Sequence, residues 1–76
     1  MKDFLLYIAR ALVDHPDEVR VDEVDNGQNT VLELRVAKDD LGKIIGRQGR
    51  MARGLRVVIS AAAARSGQKI LLDIVE

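Results

Sequence analysis

The residues best suited to chemistry lie in 41–53, LGKIIGRQGRMAR. Gly46 and Gly49 bracket a four-residue loop holding Arg47 and Gln48, and Lys43 and Arg50 flank it. Two glycines let the backbone turn sharply and let another backbone approach where a Cβ would obstruct it. The helix that follows starts at the loop, so its unpaired N–H groups and positive dipole end favour a phosphate there. Arg47 projects from the loop tip. The chemistry implied is anion recognition rather than bond making. The other candidates are poorer. His15 is the lone histidine, read as a turn residue with no partners in its sequence neighbourhood. Asp39-Asp40 reads as a helix cap, and Ser60 lies mid-helix with no base to activate it. With no cysteine, thiol catalysis, a Cys zinc site and disulfides are excluded. No histidine–carboxylate cluster suits a metal. The glycines fit neither G-x-G-x-x-G nor G-x-x-x-x-G-K-[ST]. No enzyme activity, cofactor or small-molecule substrate is expected.

The elements that must position this loop follow from periodicity. Residues 2–13 predict a helix with Phe4, Leu5, Ile8, Ala11 and Leu12 at spacings of three and four, Phe4 being assigned to the core. Pro16 stops it, making 14–17 a turn. Residues 18–25 read as a strand through Val19 and Val21; Val24 breaks the alternation, which predicts a bulge or frayed end. Asn26-Gly27 signals a hairpin, and 30–37 is the second strand, with Leu32, Leu34 and Val36 on one face. Leu41, Ile44 and Ile45 form a short helix ended by Gly46. A longer helix covers 50–65, closed by Ser66-Gly67, and 69–75 is the third strand. On the long helix, Met51, Leu55, Val58, Ile59 and Ala62 share a core face, while Arg53, Arg56 and Arg65 lie off it as a basic stripe. The order α-β-β-α-α-β predicts an α+β fold: a three-stranded mixed sheet, its second and third strands parallel across a helical crossover, with helices packed on one face.

Composition bounds the partners. The chain has 76 residues, 47% of them hydrophobic, enough for one core and one domain spanning 1–76. A net charge of zero hides a division. Residues 38–69 hold eight basic and two acidic residues, and the remainder holds four basic and ten acidic. Such local segregation, rather than net charge, points to a polyanionic partner. The N-terminal residues lack the features of a signal peptide. The longest uncharged run, 57–64, is far short of the ~20 residues needed to span a bilayer. A cytoplasmic protein with no membrane partner is expected.

Ile44-Ile45-Gly46-Arg47-Gln48-Gly49 resembles the I-I-G-x-x-G signature of KH RNA-binding domains, and the element order resembles their type II form. The turn at 14–17 and the run 42–64 are similar to the small bacterial KH proteins of the KhpA family. Many KH domains carry a large aliphatic residue three after the second glycine; here it is Ala52, as in those small proteins. The resemblance implies a clamp for single-stranded RNA, the loop holding about four nucleotides while the bases lie over an apolar groove. It implies that Gly46 and Gly49 admit phosphate, that Arg47 and Gln48 contact phosphate or sugar, and that Ile44 and Ile45 belong to the groove or the core beneath it. Lys43, Arg50, Arg53 and Arg56 join the RNA-binding set on the charge and wheel arguments. The resemblance further implies RNA chaperone or post-transcriptional regulator activity, roles in cell shape, homodimers, and heterodimers with a larger KH-containing partner, KhpB. Leu6, Tyr7 and Val13, or the edge of the long helix, are candidate interface positions, read in the first instance as completing the core. The competing reading is a KH-fold assembly module acting through protein contacts; the intact glycines between Lys43 and Arg50 favour RNA. With two aromatics for base stacking, a single copy is expected to bind weakly.

Overall fold

The computed structural model describes residues 1–76. Helix α1 spans Lys2–Leu12 and is followed by a 3-10 turn at Pro16–Glu18. Strands β1 (Arg20–Asp25) and β2 (Thr30–Arg35) form the hairpin. A 3-10 turn at Lys38–Asp40 leads into the short α2 (Leu41–Ile45), then α3 (Arg50–Arg65) and β3 (Ile70–Ile74). The sheet order is β1-β2-β3. β1 pairs antiparallel with β2, and β2 pairs parallel with β3, as the helical crossover requires. No helix is long and apolar enough to cross a membrane.

The alternation of the strands decides which face the helices cover. Val21, Leu32, Leu34, Ile70 and Leu72 point to one side and are buried with Leu5 and Ala9 of α1, Ile44 of α2, and Leu55, Ile59 and Ala63 of α3. The other side faces solvent. There the register sets three lateral rows: Arg20 beside Arg35, then Asp22, Glu33 and Asp73, then Val24, Val31 and Leu71. α3 closes as expected at Ser66-Gly67: the amides of Gly67 and Gln68 bond back to the carbonyls of Ala64 and Ala63 at 3.0 Å.

Several expectations are corrected. β1 starts at Arg20, because Pro16 opens a 3-10 turn that takes up Glu18. β2 ends at Arg35 and β3 begins at Ile70, shorter than expected. Val24 neither bulges nor frays: it pairs with Val31 and lies on the outer face, so its break in alternation is an exposed valine within a regular strand. Phe4 is 42% exposed rather than core, because α1 turns Leu5 and Ala9 to the sheet. Leu6 and Val13 pack on the core, as expected, whereas Tyr7 is 76% exposed. Met51 and Val58 are exposed as well, since α3 meets the core through Ala52, Leu55, Ile59 and Ala63, a stripe rotated towards the alanines.

Candidate functional site

The loop between α2 and α3 is built by steric necessity at one end and by conformation at the other. Gly46 ends α2 with φ +75°, its amide still bonded to the Gly42 carbonyl at 2.8 Å. A Cβ on Gly46 would lie 2.7 Å from Cβ of Met51 and 2.9 Å from its backbone nitrogen, so no side chain fits. Gly49 also has φ +75° but faces open space; what it supplies is the left-handed turn into α3. Between them, Gln48 holds φ +55°, the one non-glycine residue with positive φ. The loop thus folds into a 3-10 turn broken at Gln48 and delivers the chain to the first turn of α3.

The predicted site residues divide into groups. Arg47, Gln48 and Arg50 line an open depression at the loop tip. The guanidinium groups of Arg47 and Arg50 are exposed and paired with no carboxylate. Beside the loop lies a cleft of about 430 Å³. Ile45, Ala52 and Ile74 give it an apolar lining, and Arg53, Arg56 and Glu76 a charged one. Arg53 donates from Nη2 to the Gln48 carbonyl at 2.6 Å, and Arg56 from Nε to the Leu72 carbonyl at 3.4 Å. Ile44 is fully buried, so of the two isoleucines only Ile45 reaches the cleft. Ala52 was noted from sequence only as a departure from the usual large aliphatic residue, and Ile74 and Glu76 were missed. Ile74 and Glu76 come from the far end of the crossover, and no local spacing connects them to the loop.

Lys43 is not a free cation, because its Nζ pairs with the Asp14 carboxylate. This contact belongs to a brace behind the loop that also overturns the expected roles of His15 and Asp40. Asp40 makes no capping bond to α2. It is instead 1% exposed, and its carboxylate accepts the amides of Asp14 (3.1 Å) and His15 (3.0 Å) and the Nδ1 of His15 (3.0 Å). Burial works to raise the pKa of Asp40, but the Asp14 amide and the His15 ring and amide outweigh it and hold the pKa below the usual carboxylate value. The same pair raises His15, first through the hydrogen bond to Asp40 and then through its charge. Asp14 likewise raises Lys43 by hydrogen bonding. The turn after α1 is thereby fastened to the start of α2. The partners are 25 and 26 residues apart, which is why His15 looks isolated in sequence.

A profile of the KhpA/KhpB KH domain matches residues 2–74. The chain belongs to the KhpA/KhpB KH-domain family. It is 51% identical over its full length to "RNA-binding protein KhpA" of Halalkalibacterium halodurans, covering all of both chains. A protein of the same name from Clostridium acetobutylicum is 49% identical over 99% of this chain and all of its own. Another from Aquifex aeolicus is 43% identical over all of this chain and 96% of its own. No match was found among solved structures. Membership in the KhpA/KhpB family agrees with the α+β KH fold and with a binding domain rather than an enzyme.

Proposed function

We propose that this protein binds single-stranded RNA, with the 46–49 loop clamping the phosphate backbone and the adjoining cleft taking the bases. The observation that carries this reading is the loop itself. Gly46 has no room for a side chain, Gly49 faces open space, and the unpaired Arg47 and Arg50 line a depression at the loop tip, next to a cleft whose lining is apolar at Ile45, Ala52 and Ile74 and charged at Arg53, Arg56 and Glu76. A bare backbone at a helix start beside free guanidinium groups suits a phosphate. Bases laid over Ile45, Ala52 and Ile74 gain apolar contact. The names of the relatives, "RNA-binding protein KhpA", support the ligand class. Lys43, Arg53 and Arg56 contribute to the field around the loop, although each already has a partner within the chain.

The binder acts in the cytoplasm, as an RNA chaperone or post-transcriptional regulator. Few phosphate contacts limit the affinity of one copy, and a second module raises it by about 10²–10⁴-fold without new contacts. Such a module is a second copy or a KhpB-type partner. The shared KhpA/KhpB profile and the exposed Val57 and Val58 on α3 support that pairing. The same two valines favour the second reading, an assembly module that uses the fold for protein contacts alone.

Fluorescence anisotropy with a pool of short single-stranded RNAs at two salt concentrations separates the readings. Wild type is expected to bind in a salt-dependent way. The double variant Arg47→Asp, Gln48→Asp, its folding verified by circular dichroism, is expected not to bind. No binding by either protein at high micromolar concentration leaves the assembly reading.

A further inference from the structure

Arg53 lies in the first turn of α3, where a helical wheel assigns it to a solvent-facing basic stripe. In the structure its Nη2 instead reaches back to the Gln48 carbonyl at 2.6 Å. We propose that Arg53 is a positioning residue of the 46–49 loop rather than a phosphate ligand: its guanidinium holds Gln48 in the left-handed conformation, so that the loop is set before RNA arrives. This rests on the RNA-clamp reading above.

The need for such a hold comes from Gln48. At φ +55° an L-residue brings its Cβ against the following carbonyl, and Gln48 has neither the freedom of glycine nor the local side-chain bonding that lets Asn or Asp settle there. A conformation of this kind persists only where its surroundings over-determine it. Gly46 is fixed from one side by Met51, and Gly49 passes directly into α3. Gln48 stands between them with its side chain exposed. The bond from Arg53 ties it to the helix. A charged donor makes a stronger bond than a neutral amide, and α3, packed on β3, supplies a rigid anchor. The guanidinium also masks the negative end of a carbonyl dipole inside a loop meant to receive an anion. Arg47 and Arg50 have no such engagement and remain the cations available to phosphate.

The two roles differ in salt dependence. Each phosphate contact made to a single strand contributes about 0.7 to the slope of log affinity against log salt. Arg53→Ala is expected to lower the affinity for short single-stranded RNA by about tenfold, the effect of one charge-assisted hydrogen bond, with the slope falling by much less than the ~0.7 of a phosphate contact. Arg47→Ala and Arg50→Ala are expected to lower the slope. In the RNA-free protein, ¹⁵N relaxation of the 47–49 amides is expected to show increased fast motion in Arg53→Ala, with the rest of α3 unaltered. A slope reduced by about 0.7 in Arg53→Ala, or a free loop no more mobile than in wild type, overturns the proposal. If wild type binds no RNA, the clamp reading fails, and the relaxation of the free protein still decides whether Arg53 orders the loop.

Discussion

Two glycines of one loop are under different constraints, and substitution separates them. Gly49→Ala meets open space and incurs only the penalty of a left-handed residue, about 1 kcal/mol. Gly46→Ala adds a Cβ at 2.7 Å from Cβ of Met51 and 2.9 Å from its backbone nitrogen, neither at the end of a flexible chain. The added strain brings its cost to roughly 3 kcal/mol. Urea unfolding midpoints are therefore expected to rank wild type above Gly49→Ala and Gly49→Ala above Gly46→Ala; equal values for the two variants contradict the packing described. His15 and Asp40 carry a pH signature. The His15 pKa lies above its ordinary 6.5, so the stabilisation it gives is complete below that value and fades as pH climbs through the raised one. The Asp40 pKa lies below its ordinary 3.8, so its stabilisation is complete above that value and fades as pH falls through the lowered one. Melting temperature is thus expected to be highest between these limits and to decline towards alkaline pH. His15→Asn, which keeps a donor but cannot titrate, is expected to flatten that decline in thermal scans at constant ionic strength. An unchanged profile in the variant removes His15 as the cause.

Among the elements, the sheet carries an internal conflict. The register puts Asp22, Glu33 and Asp73 side by side on the outer face, and like charges directly opposite one another repel. Arg35 relieves part of this, bonding Asp22 at 2.6 Å and approaching Glu33 at 3.9 Å. Glu33, flanked by both aspartates, is the strategic position. Glu33→Gln is expected to stabilise the protein by a few tenths of a kcal/mol, a gain that shrinks in high salt. Chemical denaturation at two ionic strengths measures it, and a loss of stability shows that the contact with Arg35 outweighs the repulsion. The order of the elements was legible because each carries its own punctuation: Pro16 after α1, Asn26-Gly27 in the hairpin, Gly46 after α2 and Ser66-Gly67 after α3. The loop was legible for the same reason. The exposure of Phe4, Met51 and Val58 was not. A wheel gives the direction of an apolar face but not its neighbours, and α3 presents the small Ala52 and Ala63 to the core, leaving Met51 and Val58 outside. Nor could local spacing join Asp40 to His15 or Ile74 to the loop, because those contacts join segments far apart in the chain.

In the whole molecule, the loop and the sheet it depends on are linked by the crossover from β2 to β3. The cleft beside the loop takes part of its lining from Ile74, at the end of β3. β3 in turn is held by pairing with β2, from Thr30 opposite Ile70 to Leu34 opposite Ile74. Stabilisation by a ligand follows its concentration relative to Kd and reaches about 2.7 kcal/mol at a hundredfold excess. RNA is therefore expected to slow amide hydrogen exchange in β3 as well as in the loop; protection confined to the loop separates the site from the sheet. The crossover is also expected to impose an order of events. The hairpin closes between near neighbours in the chain, whereas β3 must return across both α2 and α3 before it finds β2, and the larger loop carries the greater entropy of closure. A chain whose hairpin has formed but whose β3 has not docked already contains Arg47 and Arg50, yet lacks the wall of the cleft that Ile74 supplies. Competence to bind is thus expected to be among the last properties gained on folding and among the first lost when β3 detaches, so that RNA held there would favour chains in which β3 has docked.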